Sequence, residues 1–379
     1  MKIHLLGDSL VQTRQARTGK FYCGWGDMLS AFFDDDTEIL NYALGGRSSR
    51  SFLNEGRFYD NGRFTTEMSP YGMGPALPRI EKGDYVLIQF MDNDEDSKGC
   101  MYRVNKHVDL GKPDENGIYP TVVPDPSMLS SPANWHDGYE EQLRAEGKSP
   151  EEIETIVKTT KELIELCGDS YYAFDCGATF KGYLKYYVDA SREKGANPIL
   201  VVSGAKFPFT DGKLLPVKGY RGGRDEYNDF TYMEAVRQLG KELSVPVLDI
   251  FAAEKVLYEA IGPEKAQYMH NISIETSGIQ NIDATDQFGP GVDASDWLAD
   301  YERRWEEKDF KGFDGTHKNH FGAFVDAAVL ADQMYEKGIL RDHILLSPSK
   351  FPGMPKKLWE NKESFNAMFS AVRLEPDMV

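Results

Sequence analysis

Residues 2–9 read KIHLLGDS. A short, mostly apolar run ends in a Gly-Asp-Ser triplet, the pattern of a strand covered on both faces and closed by a turn. Four later stretches repeat the pattern: EILNY (38–42), YVLIQF (85–90), PILVVS (198–203) and VPVLDI (245–250). Helical patterns lie between and after them: GWGDMLSAFF (24–33), GATFKGYLKYYVDASREKG (177–195), FTYMEAVRQLGKELS (230–244) and HFGAFVDAAVLADQMYEKG (320–338). The second and fourth carry apolar residues at three-to-four spacing and stop at glycine. Strands alternating with helices predict right-handed βαβ units and a parallel sheet, hence an α/β fold.

The connections are long. The reading places one domain over residues 1–346, with insertions at about 97–168, 206–229 and 262–312. A proline-broken extension over 347–379 packs on that domain. Within the first insertion, SPEEIETIVKTTKELIELC (149–167) predicts an acidic helix with Ser149 as N-cap and Pro150 at the first helical position. Long ordered loops in a compact domain are usually functional or act as lids.

Composition narrows the partners. The net charge is −18, whereas phosphate binding needs a basic surface, so nucleic acid and anionic membrane are excluded as partners. No stretch approaches the roughly 20 apolar residues of a membrane span. Residues 3–6 are too short for a signal-peptide core. The four cysteines show neither a CxxC pair nor zinc spacing, which reads as reduced thiols in a cytoplasmic protein. An acidic surface is compatible with a neutral small-molecule or oligosaccharide substrate but does not identify one, and a homo-oligomer is left open.

Four clusters carry candidate chemistry. Ser9 stands at the carboxyl end of the first predicted strand, where open parallel sheets bind ligands. Its N–H, at the start of a following helix, would be free to donate to an oxyanion with help from the helix dipole; alternatively Ser9 only caps that helix. In NYALGGRSSRSF (41–52), Gly45 and Gly46 allow close backbone approach and a second N–H donor, or else form a plain turn. In LIQFMDNDEDS (87–97), the Asn93 amide is a third donor. Asp92, Asp94 and Asp96 alternate like a calcium loop, but Ser97 stands where that loop needs glycine and Arg103 where it needs glutamate, so that reading fails. A solvated acidic turn is the other alternative. In GFDGTHKNHFGA (312–323), Asp314 and His317 are three apart across a tight glycine-containing turn. That spacing lets the carboxylate hold Nδ1–H and leaves Nε2 free as a base. Asp314 as a helix cap, or His320 as the base, are the competing assignments.

GDS (7–9), the Gly46 turn, the Asn of DND (92–94) and DGTH (314–317) resemble, in order, the four sequence blocks of the SGNH (GDSL) hydrolase superfamily. Within it the second, third and fourth stretches are similar to rhamnogalacturonan acetylesterase-type carbohydrate esterases. The resemblance implies a three-layer α/β/α flavodoxin-like fold with a five-stranded parallel sheet. It also implies ester hydrolysis without metal or cofactor. On this pattern Ser9 is the nucleophile, His317 the general base and acid, and Asp314 its orienter. The Ser9 N–H, the Gly46 N–H and the Asn93 side chain form the oxyanion hole, while Asp8 is structural.

The chain departs from the family pattern at Met91-Asp92, where Gly-His is usual, and in SGAKFPF (203–209), where an arginine-containing loop is usual. The insertion at 97–168 is also longer than the basic fold needs. Asp92 is expected to face away from the oxyanion hole or to pair with Arg47 or Arg50. Arg47, Asp92 and Trp305 are the rim residues assigned to substrate binding. The function so read is removal of acetyl or other short acyl groups from carbohydrate, in particular acetylated plant-polysaccharide oligosaccharides. A lipase, thioesterase or lysophospholipase with a longer acyl channel, and a catalytically inactive carbohydrate-binding relative, are the alternatives.

Overall fold

The computed structural model describes residues 1–13, 23–62, 73–95, 107–125, 139–145, 147–155, 157–158, 177–204, 209–210, 213–214, 231–266, 269–272, 313–318 and 320–345. Five strands form one sheet: β1 (Lys2–Gly7), β2 (Glu38–Asn41), β3 (Tyr85–Gln89), β4 (Asn197–Val202) and, fifth in the sheet, β7 (Val247–Asp249). Their order is β2-β1-β3-β4-β7, and every pairing is parallel. This is the flavodoxin-like doubly wound order expected from the sequence, with its switch point between β1 and β3.

Alternation along the strands makes the two outer layers. Ile3, Leu5, Leu87, Ile199, Val201 and Leu248 face one way, against Trp25 and Met28 of α1 (Trp25–Met28) and Phe324, Ala327 and Ala331 of α7 (His320–Glu336). Leu6, Val86, Ile88, Leu200 and Val202 face the other way. They meet Phe52 of α2 (Ser49–Asn54), Tyr183 and Tyr187 of α4 (Phe180–Glu193), and Val236 and Leu239 of α5 (Thr231–Leu243). Burial on both faces is why these strands lack polar alternation.

Caps follow the expected chemistry. Ser48 and Ser51 form a reciprocal capping box on α2, and Thr179 accepts from the Gly182 N–H at the start of α4. Ser149 and Glu152 exchange bonds of 3.2 and 2.8 Å, as the N-cap reading required. A further helix, α3, spans Tyr139–Ala145. Val108 and Leu110 of the first insertion are buried in the core on the α4–α5 side.

Three features differ from the sequence reading. GWGDMLSAFF forms only the short α1 followed by a 3-10 turn over Leu29–Phe32. A long helix, α6 (Ile250–Ala266), is not among the helical patterns read from the sequence and runs into the insertion placed at about 262–312. Finally, DGTH lies on a strand. β9 (Phe313–Lys318) pairs antiparallel with β8 (His270–Ile272), apart from the main sheet. A small hairpin, β5 (Phe209–Thr210) with β6 (Lys213–Leu214), completes the strands among the described residues. No helix among the described residues is long and apolar enough to cross a membrane.

Candidate active site

Register places the site. β1, β2 and β3 run parallel and in step, so their carboxyl ends deliver residues 8–12, 42–47 and 90–94 to one edge of the sheet. Ser9 follows β1 in a tight turn in which the Val11 and Gln12 N–H groups both donate to the Asp8 carbonyl, at 3.2 and 3.0 Å. No helix begins there among the described residues, so the helix-cap alternative and the dipole argument for Ser9 both fall away. Asp8 is fully buried, and its Oδ1 accepts from the Leu10 N–H at 2.9 Å. It braces the turn, as its structural assignment required.

His317 Nε2 lies 2.9 Å from Ser9 Oγ, although 308 residues separate them in the chain. That is direct hydrogen-bonding reach. The device that presents His317 is a break in the β8–β9 ladder. His270 pairs with Lys318 and the next residue, Asn271, pairs with Asp314, so Gly315, Thr316 and His317 stand out from the ladder between them. Bulges of this kind re-aim side chains next to functional sites. The expected tight turn is therefore replaced by a bulged strand. The backbone of Asp314 belongs to β9, while its side chain lies outside the described residues.

The three residues assigned as oxyanion donors lie at the same edge. Neither the Ser9 N–H nor the Gly46 N–H has an acceptor among the described residues. Gly46 has φ of 79°, the left-handed region that favours glycine. The Asn93 amide donates to Arg47 O at 3.2 Å and to Asp8 Oδ2 at 3.4 Å, both long bonds. Bonds of this length in a site without substrate are of the kind that tighten or exchange when the reacting group arrives.

The residues assigned to substrate binding are placed differently. Asp92 is 1% exposed and accepts from the Ser203 hydroxyl at 3.0 Å, toward the end of β4. Its partner lies just past the end of the neighbouring strand β4. Arg47 directs Nε to both oxygens of Glu55, at 3.2 and 3.1 Å, and Nη1 to Gly45 O at 2.9 Å. Its ion pair is thus with Glu55 and not with Asp92. Arg50 is buried and donates to His107 O. Trp305 lies outside the described residues.

Behind His317 sits a buried charge cluster that no local motif announces. Lys318 Nζ donates to Glu254 Oε1 at 2.6 Å and to the Tyr258 hydroxyl. The Tyr258 hydroxyl also lies 2.8 Å from His270 Nε2. Burial, and then Glu254 beside it, push the Asp326 carboxyl well above the usual carboxylate range. The cluster reaches β4: a Cβ at Gly204 would lie 2.6 Å from Glu254 Oε2, so a side chain there would displace it. On the oxyanion side, Asp94 is likewise pushed well up by burial and by nearby Asp8, and it accepts from the Ser49 N–H at 3.0 Å.

No protein-family profile matches the chain. The chain is similar to the rhamnogalacturonan acetylesterase RhgT of Bacillus subtilis, 24% identical over 92% of this chain and 97% of that protein. It also matches a probable rhamnogalacturonan acetylesterase, YesY, of the same organism, with 24% identity over 72% of this chain and 80% of the relative. A rhamnogalacturonan acetylesterase of Emericella nidulans is 31% identical over 35% of this chain and 45% of its own length. Among solved structures, Bacillus subtilis YXIM superposes with a TM-score of 0.46 at 17% identity, covering 89% of this chain and 57% of that one. The resemblance read from four short motifs thus extends, in the first of these relatives, along nearly the whole chain.

Proposed function

We propose that this protein is a serine carboxylic ester hydrolase that removes short acyl groups, acetyl in particular, from carbohydrate. The observation that carries the reading is the 2.9 Å approach of His317 Nε2 to Ser9 Oγ. Beside it stand two backbone N–H groups, of Ser9 and Gly46, that have no acceptor among the described residues. A hydroxyl is a weak nucleophile until a base within hydrogen-bond reach takes its proton.

The steps follow from these positions. Ser9 Oγ attacks the ester carbonyl carbon while its proton passes to His317 Nε2. The carbonyl π pair moves onto oxygen, which accepts from the Ser9 and Gly46 N–H groups and from the Asn93 amide. The tetrahedral adduct collapses, the C–O bond to the sugar breaks, and His317 returns the proton to the departing alcohol. The acyl group remains on Ser9 until a water attacks it, giving its proton to His317, which passes that proton to Ser9 Oγ as the bond to the acyl carbon breaks and the acid is released. Asp314 is assigned to Nδ1–H, where a carboxylate holds the tautomer that keeps Nε2 free.

The named relatives support an acetylated plant-polysaccharide oligosaccharide as substrate, with Trp305 offered as a stacking face for a sugar ring. The test uses p-nitrophenyl acetate, a series of longer p-nitrophenyl esters and acetylated rhamnogalacturonan oligosaccharides, beside a Ser9→Ala variant. The expected result is acetate release by wild type, none above background by the variant, and a rate that falls with chain length. Equal activity in the two proteins overturns the esterase reading. A preference for acyl chains of about eight carbons or more overturns the acetyl assignment.

A further inference from the structure

We infer that Arg47, held by Glu55, is a positioning residue of the oxyanion hole: its guanidinium fixes the Gly45–Gly46 peptide so that the Gly46 N–H faces the reacting carbonyl. The inference rests on the esterase reading above and deepens it.

The argument is geometric. The Gly45 carbonyl and the Gly46 N–H belong to one peptide unit. That unit is trans, as no cis bonds occur among the described residues, so carbonyl and N–H point in opposite directions. Arg47 Nη1 donates to the Gly45 carbonyl at 2.9 Å. Gripping the oxygen from one side therefore leaves the hydrogen on the other side, where no protein acceptor meets it among the described residues. A peptide between two glycines, the second at a φ of 79°, needs such a grip, since without side chains it can rotate at little steric cost.

Neighbouring bonds complete the clamp. The Gly45 N–H donates to Gln12 Oε1 at 2.5 Å, and the Arg47 N–H returns to Leu44 O at 3.3 Å, fixing the preceding peptide as well. The Arg47 carbonyl accepts from the Asn93 amide, so one residue touches two of the three proposed donors. The guanidinium is itself anchored through Nε to both Glu55 oxygens, and Arg57 Nε shares the Oε2 atom. Burial would raise the Glu55 carboxyl, but the two guanidiniums outweigh it and hold it below the usual range, so the anchor stays charged. A positive charge on the carbonyl also polarises the peptide and strengthens its N–H as a donor.

This role predicts a different signature from binding of a uronate carboxylate by Arg47. p-Nitrophenyl acetate carries no carboxylate. On it, Arg47→Ala is expected to lower kcat by about 10- to 100-fold, part of what loss of a whole donor removes, with KM unchanged within about 2-fold. Glu55→Gln moves kcat in the same direction. Arg47→Lys, which keeps the charge but not the planar fork, falls between wild type and the alanine variant. Guanidinium at non-denaturing concentration restores part of the Arg47→Ala rate and leaves wild type unchanged. The lysine and glutamine variants keep the test decisive if the alanine variant does not fold.

Full kcat on p-nitrophenyl acetate in Arg47→Ala, or in the two conservative variants, overturns the inference alone. So does a loss confined to KM on uronate-bearing substrates. A wild-type chain in which Ser9 neither hydrolyses the ester nor takes a fluorophosphonate label overturns the esterase reading and this inference with it.

Discussion

The two halves of the site are built by different means. Ser9, Gly46 and Asn93 hang directly from the carboxyl ends of three adjacent parallel strands, each within five residues of its strand's last position. Their supports are hydrogen bonds within and between the turns at that edge: Asp8 to Leu10, Arg47 to Gly45 and Glu55, Gln12 to Gly45, and Asn93 to Arg47. His317 comes from outside that sheet, on a bulged strand whose next residue is a buried lysine. That lysine is tied to residues of α6 and to β8. One half uses strand register, and the other uses a desolvated ion pair as an anchor. A buried pair adds little net stability, because desolvating two charges offsets their attraction, but removing one partner strands the other. The contrast shows why rate and stability should separate between the halves.

The largest expected effect tests whether the halves act as one unit. Ser9→Ala and His317→Ala should each lower kcat by roughly 10⁵- to 10⁶-fold on an activated ester, and the double variant should be no worse than either alone. Pre-steady-state and steady-state assays on the three proteins check it. Additive losses would mean that the two residues do not share a step.

Lys318→Met should cost about 3–5 kcal/mol of stability in urea unfolding, because it leaves Glu254 charged and buried without its cation. The same experiment on Arg47→Ala, where the arginine is partly exposed and buried Glu55 keeps Arg57 as a second partner, should show a clearly smaller loss. A stability loss in Arg47→Ala as large as in Lys318→Met would erase the distinction between the halves.

Each half also holds one acid whose carboxyl burial pushes well above the usual range, Asp94 beside Ser49 and Asp326 beside Glu254. Both folded pKa values lie above the ordinary value of 3.8, so the native state binds more protons than the unfolded chain once pH exceeds about 4. Their contribution is complete below that pH and is lost as pH rises toward the folded values. Asp94→Asn and Asp326→Asn should each flatten the decline in stability measured upward from pH 4. An unchanged slope in both would show that the carboxyls ionise in the folded protein.

The smallest effect serves as a reference lying outside both halves. Ser244 follows α5 with φ of 51°, on the sheet edge opposite the site. Ser244→Gly should add about 0.5–1 kcal/mol of stability and leave kcat unchanged. A change in kcat would mean that the far edge is coupled to the site.

All five core strands were legible because each is a short apolar run between turn signals, and burial on both faces demands that pattern. The same logic located Ser9, Gly46 and Asn93, since residues just past parallel strands must share an edge. His317 was legible from its DGTH motif, yet its setting was not. The β8–β9 pairing joins segments some 40 residues apart, and a single strand of six residues holding Gly, Thr and His carries no strand period. Helix α6 was not legible locally; packing of Phe251, Leu257 and Tyr258 into the core holds it.

Local chemistry in the chain thus settled the α/β architecture and the strand list, and singled out Ser9, Gly46, Asn93 and His317. These depend on hydrophobic period and turn residues, which act between near neighbours. Only the folded arrangement decided that Arg47 serves Gly45 instead of facing outward, that Asp92 turns toward Ser203, and that Lys318, Glu254 and Asp326 share one buried site. Those outcomes depend on which charges are desolvated together, and desolvation is a property of packing between distant segments that no local stretch encodes.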